Sequence, residues 1–236
     1  MSTQIFILVA ITVAVASLVQ GSTGMGFALI VAPVVGLFEP QLLPVLLLVL
    51  MLPLNAYVVW RERHALDLRG AGWITIGRVA GTAGGFWVLV AVPPSGLSLL
   101  IGISTILAAL VSLIIPSFKA GRGALLAVGT ITGITETATG IGGPPLVLAY
   151  QHRPAAVLRS TVAFCFLVGE VMSLALLAAT GNVHFEQFQM ALFLLPALAV
   201  GAVASAAIHH RLGGKRMRTI VLTFALVSGV AVLFQG

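Results

Sequence analysis

The sequence predicts an all-α, polytopic integral membrane protein built as an inverted-topology repeat, with three full spans plus one re-entrant or broken-helix hairpin in each half. Three observations carry that prediction: an apolar composition, the placement of the basic residues, and a glycine motif that occurs twice. Of the 236 residues 59% are hydrophobic and only 8% are charged, with a mean hydropathy of +1.15. No soluble domain of this length buries so much apolar surface in one core.

Taken in order, the first apolar stretch, residues 4–37, is too long for one plain span and is interrupted by GSTGMGF at residues 21–27. It lacks a cationic flank and leads into more hydrophobic sequence, so it reads as part of the membrane domain and not as a signal peptide. Three stretches of about 20 apolar residues follow, at residues 41–60, 70–92 and 95–115, each sufficient to cross a bilayer. A second overlong stretch, residues 123–150, is interrupted by GITETATGIGGPP at 133–145. Three further spans lie at residues 155–180, 188–208 and 219–235. The final VLFQG, residues 232–236, resembles a viral protease cleavage site and is set aside from functional argument.

Lysine and arginine set the orientation. Arg61, Arg63 and Arg69 share one loop, Lys119 and Arg122 another, Arg153 and Arg159 a third, and Arg211, Lys215, Arg216 and Arg218 the last. The connections at residues 38–40, 92–95 and 181–186 contain none. With basic loops cytoplasmic, residues 123–150 start and end on the inside, so that segment enters the membrane and returns. The first broken segment then starts and ends on the outside. Each copy thus makes three crossings plus a hairpin, and an odd number inverts the second copy. Both termini fall outside.

Duplication is visible directly: TGMG at residues 23–26 recurs as TGIG at 139–142, 116 positions later. Residues 1–118 and 119–236 are the two repeats, the second inverted. Interrupted apolar segments at matching places in two halves point to a transport site.

Arms of roughly 10 to 16 residues bring both glycine tips to about the membrane midplane. A helix starting there exposes unpaired N–H groups and the positive end of its dipole, which attract an anion. The candidate site is therefore Thr23, Gly24, Met25, Gly26 and Phe27 from one tip, and Thr137, Thr139, Gly140, Ile141, Gly142 and Gly143 from the other. Pro144 and Pro145 suit a first helical turn. The bland alternative is close helix packing by small residues, the reading preferred for Gly81, Gly84 and Gly85.

Glu136 is expected to be neutral, paired or facing water, because a charge at this depth is costly. It is the candidate for ion coupling, with protons as the coupling ion; the competing role is a hydrogen-bonded brace. Uncharged Gln20 stands at the matching position. Arg78 and Glu170 either pair with each other, or Arg78 serves as the cationic partner of the ligand. Asn55 and Tyr57 read as interhelical glue or an interfacial anchor.

Other functions lack support. The net charge of +6 lies in short groups between apolar runs, without a nucleic-acid-binding patch. Lone Cys165 gives no disulfide or thiolate cluster, and His64, His152, His184, His209 and His210 lack zinc-site spacing. No nucleophile triad, phosphate loop or dinucleotide fingerprint is present, so neither enzyme activity nor a cofactor is indicated.

The paired motifs TGMGFALIVAP (residues 23–33) and TGIGGPPLVLA (139–149), with the two-half layout, resemble the TauE/SafE family of sulfite exporter-type membrane transporters. The resemblance implies a secondary transporter of small sulfur-containing oxyanions, such as sulfite, sulfonates or related organosulfur acids, in a bacterial-type inner membrane. It carries the family's glycine motifs onto Gly24, Gly26, Gly140, Gly142 and Gly143; Phe27 and Ala28 stand where many relatives continue the glycine run. A passive small-anion channel and a non-transporting scaffold are the alternatives, and the sequence leaves open whether the chain works as a homodimer.

Overall fold

The computed structural model describes residues 2–116, 118–212 and 215–235, and the side chains of all of these except 208–212, 215, 216 and 235. The expectations for His209, His210, Arg211, Lys215 and Arg216 therefore fall outside the described side chains. Ten α-helices and no strand occur among the described residues: α1 (Thr3–Thr23), α2 (Phe27–Phe38), α3 (Val45–Glu62), α4 (Leu68–Ala91), α5 (Leu97–Ile114), α6 (Arg122–Thr139), α7 (Gly143–Tyr150), α8 (Ala155–Ala179), α9 (Phe185–Leu212) and α10 (Lys215–Gln235). The six plain spans correspond to α3, α4, α5, α8, α9 and α10. Residues 232–235 of the VLFQG stretch lie in α10, where Val232 is buried and Leu233 packs near Gly102 of α5.

Both overlong segments are broken where the sequence places the glycine motifs. α1 ends on Gly24 at φ 83° and α6 on Gly140 at φ 79°, left-handed conformations that favour glycine. Each ends the helix in the same way: Gly24 N–H bonds Gln20 C=O, and Gly140 N–H bonds Glu136 C=O. Thr23 and Thr139 then accept the N–H of Met25 and Ile141. The chain next folds back on itself. A Cβ built on Gly142 falls 2.3 Å from Glu136 Oε2 and 2.9 Å from Thr132 Cγ2, well below the tip, and Phe27 N–H reaches back to Gln20.

Three of the four arms differ from the expected 10 to 16 residues, and α2 alone keeps to it. The first arms have 21 and 18 residues and the second only 12 and 8; α1 alone is long and apolar enough to cross a membrane. The left-handed glycine sits near the end of each broken segment's first helix, and that sets the break late. Gly140 lies against Leu47 at the start of α3, and Gln20, one turn before Gly24, lies beside Asn55, about two turns further along α3. Just beyond the tips the hairpins touch, since a Cβ on Gly143 would lie 3.9 Å from Met25 Cβ.

Helix packing follows a paired pattern. α4 packs on α6 as α9 packs on α1, α4 on α8 as α9 on α3, and α5 and α10 pack on each other, as do α3 and α8. In the α4–α6 contact the backbones nearly touch: Cβ atoms on Gly77, Gly81 and Gly85 would meet the carbonyls of Leu126, Thr130 and Ile134 at 2.1, 2.2 and 2.4 Å. Small residues therefore serve close packing there, while Gly84 faces only the Ile134 side chain. Ile76, Val79 and Trp87 point outward from α4, a surface suited to lipid. Replacing Gly81 by Ala should cost on the order of 1–3 kcal/mol in unfolding measured in detergent, because the methyl has only backbone to displace. Gly72→Ala, with nothing within 4 Å of its Cβ, should be neutral or slightly stabilising.

Candidate functional site

The broken segments bury a polar cluster. Glu136, in the last turn of α6, pairs with Arg78 of α4 at 2.5 Å, and both side chains are fully buried. The cation expected for Glu170 or for a ligand is thus engaged by Glu136. Glu170 of α8 instead accepts from Asn55 Nδ2 at 2.7 Å, and Asn55 Oδ1 lies 3.5 Å from Gln20 Nε2. Gln20 Oε1 in turn accepts Phe27 N–H, the first donor of α2, at 3.2 Å.

Arg78 fits because the neighbouring position is a glycine. A Cβ on Gly169 would fall 1.7 Å from Arg78 NH2 and 1.8 Å from Cζ. Several polar atoms of the cluster have no hydrogen-bond partner among the described residues: Nε and NH1 of Arg78, Oε2 of Glu136, Oε2 of Glu170, and the hydroxyls of Thr82 and Thr132. Such atoms are costly in a dry interior, so this cluster departs from what stability alone favours. Thr137 is satisfied by Ser173 at 2.7 Å.

A cavity of about 740 Å³ approaches the first tip. Ser22, Thr23 and Met25 line it on one side, with Val147 and Gln151 of the second hairpin, Leu158 and Arg159 of α8, Ser112 at the end of α5, and Arg218 and Val221 of α10 on the others. Gly26 lies behind Val221. Of the predicted site residues, only Thr23 and Met25 are among the lining residues. Gln20, Gly24, Gly26, Phe27 and the second-tip residues Glu136, Thr137, Thr139, Gly140, Ile141, Gly142 and Gly143 are not, nor is Arg78.

Arg159 and Arg218 entered the sequence reading only as topology signals. Arg159 stands one turn inside the apolar span 155–180 and not in the loop before it, a position that could have singled it out, whereas Arg218 lies in the basic first turn of α10 and carries no such signal. Arg159 is held by both oxygens of Glu62, at 2.9 and 3.0 Å, and Arg218 by Gln151 at 2.6 Å and the Ser112 carbonyl. Arg61, bonded to Gly21 C=O at 2.7 Å, ties the first tip to this same basic face. Near the other pole of the cluster the halves differ: Gly81 packs on Thr130 as Gly201 packs on Ala14, so the position of Arg78 in α4 corresponds to buried Leu198 in α9, and that of Glu136 corresponds to Gln20.

Two buried glycine hairpins in a helical bundle, with intramembrane carboxylates beside them and a cavity leading to one tip, define a polytopic membrane protein of the broken-helix kind used by secondary transporters. Within that class, the chain belongs to the Sulfite exporter TauE/SafE family, whose profile matches residues 9–232. No curated protein and no solved structure matches the chain.

The buried ion pair makes a stability prediction. Arg78→Met should destabilise the protein by about 3–5 kcal/mol, because it leaves Glu136 charged and unmatched. Adding Glu136→Gln to that variant should recover most of the loss, as read by unfolding in detergent across the double-mutant cycle.

Proposed function

We propose that this protein is a secondary carrier that moves small sulfur-containing oxyanions, such as sulfite, sulfonates or related organosulfur acids, across the cell membrane, coupled to protons. The repeats, residues 1–118 and 119–236, act as inverted halves with both termini outside. The anion is received where the hairpins adjoin, at the helix starts that follow Met25 and Gly142, and the residues of the two tips form the binding site. Family membership supports the substrate class. The matching glycine caps and the paired packing of α9 on α1 and α4 on α6 support two related halves.

One observation favours a carrier over a channel: the cavity is lined by the first tip, and the second tip is absent from its lining. Access from one side at a time is what alternating access requires, whereas a channel needs a path past both tips. In this reading Arg159 and Arg218 make the entrance attractive to anions without binding them tightly, since each already holds a protein acceptor. Leu146 is the only first-turn residue of α7 after Gly143 that keeps an N–H, because Pro144 and Pro145 have none. The start of α2 is therefore the richer donor site.

Purified protein in lipid vesicles should show saturable flux of labelled sulfite or of a simple sulfonate, driven by an imposed proton gradient. Unsaturable single-channel currents would replace the carrier with a channel. Absence of flux for every such anion would end the reading.

A further inference from the structure

We propose that Glu170 takes up the coupling proton, and that Asn55 and Gln20 transmit its charge state to the start of α2, where an anion is received. The proposal deepens the carrier reading and rests on it for the identity of the anion.

The charge count of the buried cluster comes first. Two carboxylates, Glu136 and Glu170, share one guanidinium, and Arg78 hydrogen-bonds Glu136. With both acids ionised the cluster holds one negative charge in excess, and one proton neutralises it. Glu170 is the member without a cation of its own: its Oε1 accepts from neutral Asn55, and its Oε2 has no hydrogen-bond partner among the described residues.

No other charged group is positioned to replace that proton. α4 presents Arg78, held by Glu136, and α6 presents Glu136 itself. α3 presents Asn55 and α1 presents Gln20, both neutral. α7 brings Tyr150, which is bonded to Asp67. Arg63 and His64, in the turn packed on α8, lie at the basic end. On α8 itself Arg159 is bound to Glu62, and Cys165 is a buried thiol.

A relay of consistent polarity links this carboxylate to the tip. Ionised Glu170 can only accept, so Asn55 turns its amide nitrogen to it. Asn55 oxygen then faces Gln20 nitrogen, and Gln20 oxygen faces Phe27 N–H. Every bond points toward the carboxylate, and the far end occupies a donor that an anion at α2 would otherwise use. A hydronium ion gives its proton to Glu170 Oε2: one O–H bond breaks in the donor, which leaves as water, one forms on the carboxyl, and its charge goes from −1 to neutral.

The Asn55 bond then loses its charge assistance, which is about half its strength. The weakest joint, 3.5 Å between Gln20 and Asn55, is already at the limit of a hydrogen bond and slackens first. Phe27 N–H is released as the nearby negative charge disappears, and both changes favour an anion. Proton and anion thus bind cooperatively, each strengthening the other by the same factor.

The first test needs no ligand. Infrared difference spectra of the detergent-solubilised protein across a pH titration should show a protonated-carboxyl band that Glu170→Gln removes and that Glu136→Gln moves to lower pH, because that variant frees Arg78 to balance Glu170. Over the same titration the nitrogen chemical shift of the Phe27 amide should move in the wild type and stay fixed in Glu170→Gln and in Asn55→Leu. A band that survives Glu170→Gln overturns the proposal. So does a pH-independent Phe27 amide in the wild type, a measurement that decides the matter even if the variants do not fold.

The second test uses methanesulfonate, whose charge is constant near neutral pH. Its apparent Kd should rise about tenfold per pH unit on the alkaline side of the titration in the wild type. The rise should move to lower pH in Glu136→Gln, where Arg78 is free to balance Glu170, and vanish in Glu170→Gln, which should keep the tight low-pH affinity. A rise that persists in Glu170→Gln overturns the coupling role. If the wild type binds no sulfonate, the anion reading fails while the first test still decides the proton site.

Discussion

Lipid offers no hydrogen bonds, so a helix can stop within the membrane only where the rest of the protein satisfies or buries its loose ends, and the packing of this fold follows from that requirement. α1 and α6 each stop at a left-handed glycine whose N–H is returned to the preceding turn, and each is wrapped by a helix of the other half, α9 and α4 respectively. The wrapping helix has to come very close. On α4 it does so through Gly77, Gly81 and Gly85, whose missing side chains let it lie against the backbone of α6. On α9, Gly201 approaches the Ala14 carbonyl of α1 in the same manner.

That close wrapping dictates the chemistry inside. With α4 lying directly on α6, the long side chain of Arg78 extends into the space left by Gly169 of α8 and reaches Glu136. Glu170, next along α8, is left to Asn55, and Asn55 is left to Gln20. The site thus follows from the packing: the same contacts that seal the broken helices decide which acid has a cation and which does not.

Much of this was legible in the sequence. Apolar run length located the six plain spans, because in a bilayer length and hydropathy are direct physical requirements. The two interruptions were legible as well, since a left-handed cap calls for glycine and both copies kept it. Arm length was not, because the run of apolar residues around Gly24 does not record that the break falls near its far end. The partner of Arg78 was also hidden. Arg78 and Glu136 are 58 residues apart in sequence, and their meeting depends on how closely two helices approach and on a void at Gly169, neither of which composition encodes. The cavity-lining roles of Arg159 and Arg218 were masked by the other information that basic residues carry, the sidedness of the loops.

The mismatch between the halves, Arg78 with Glu136 against Leu198 with Gln20, has an energetic corollary. In the inverted arrangement proposed above, two identical copies would give openings toward the two faces of equal energy. An ion pair in one copy and a hydrocarbon with an amide in the other removes that degeneracy. Such a carrier would have a resting posture, and opposite driving forces of the same size would move unequal traffic through it, while balanced ones would move none.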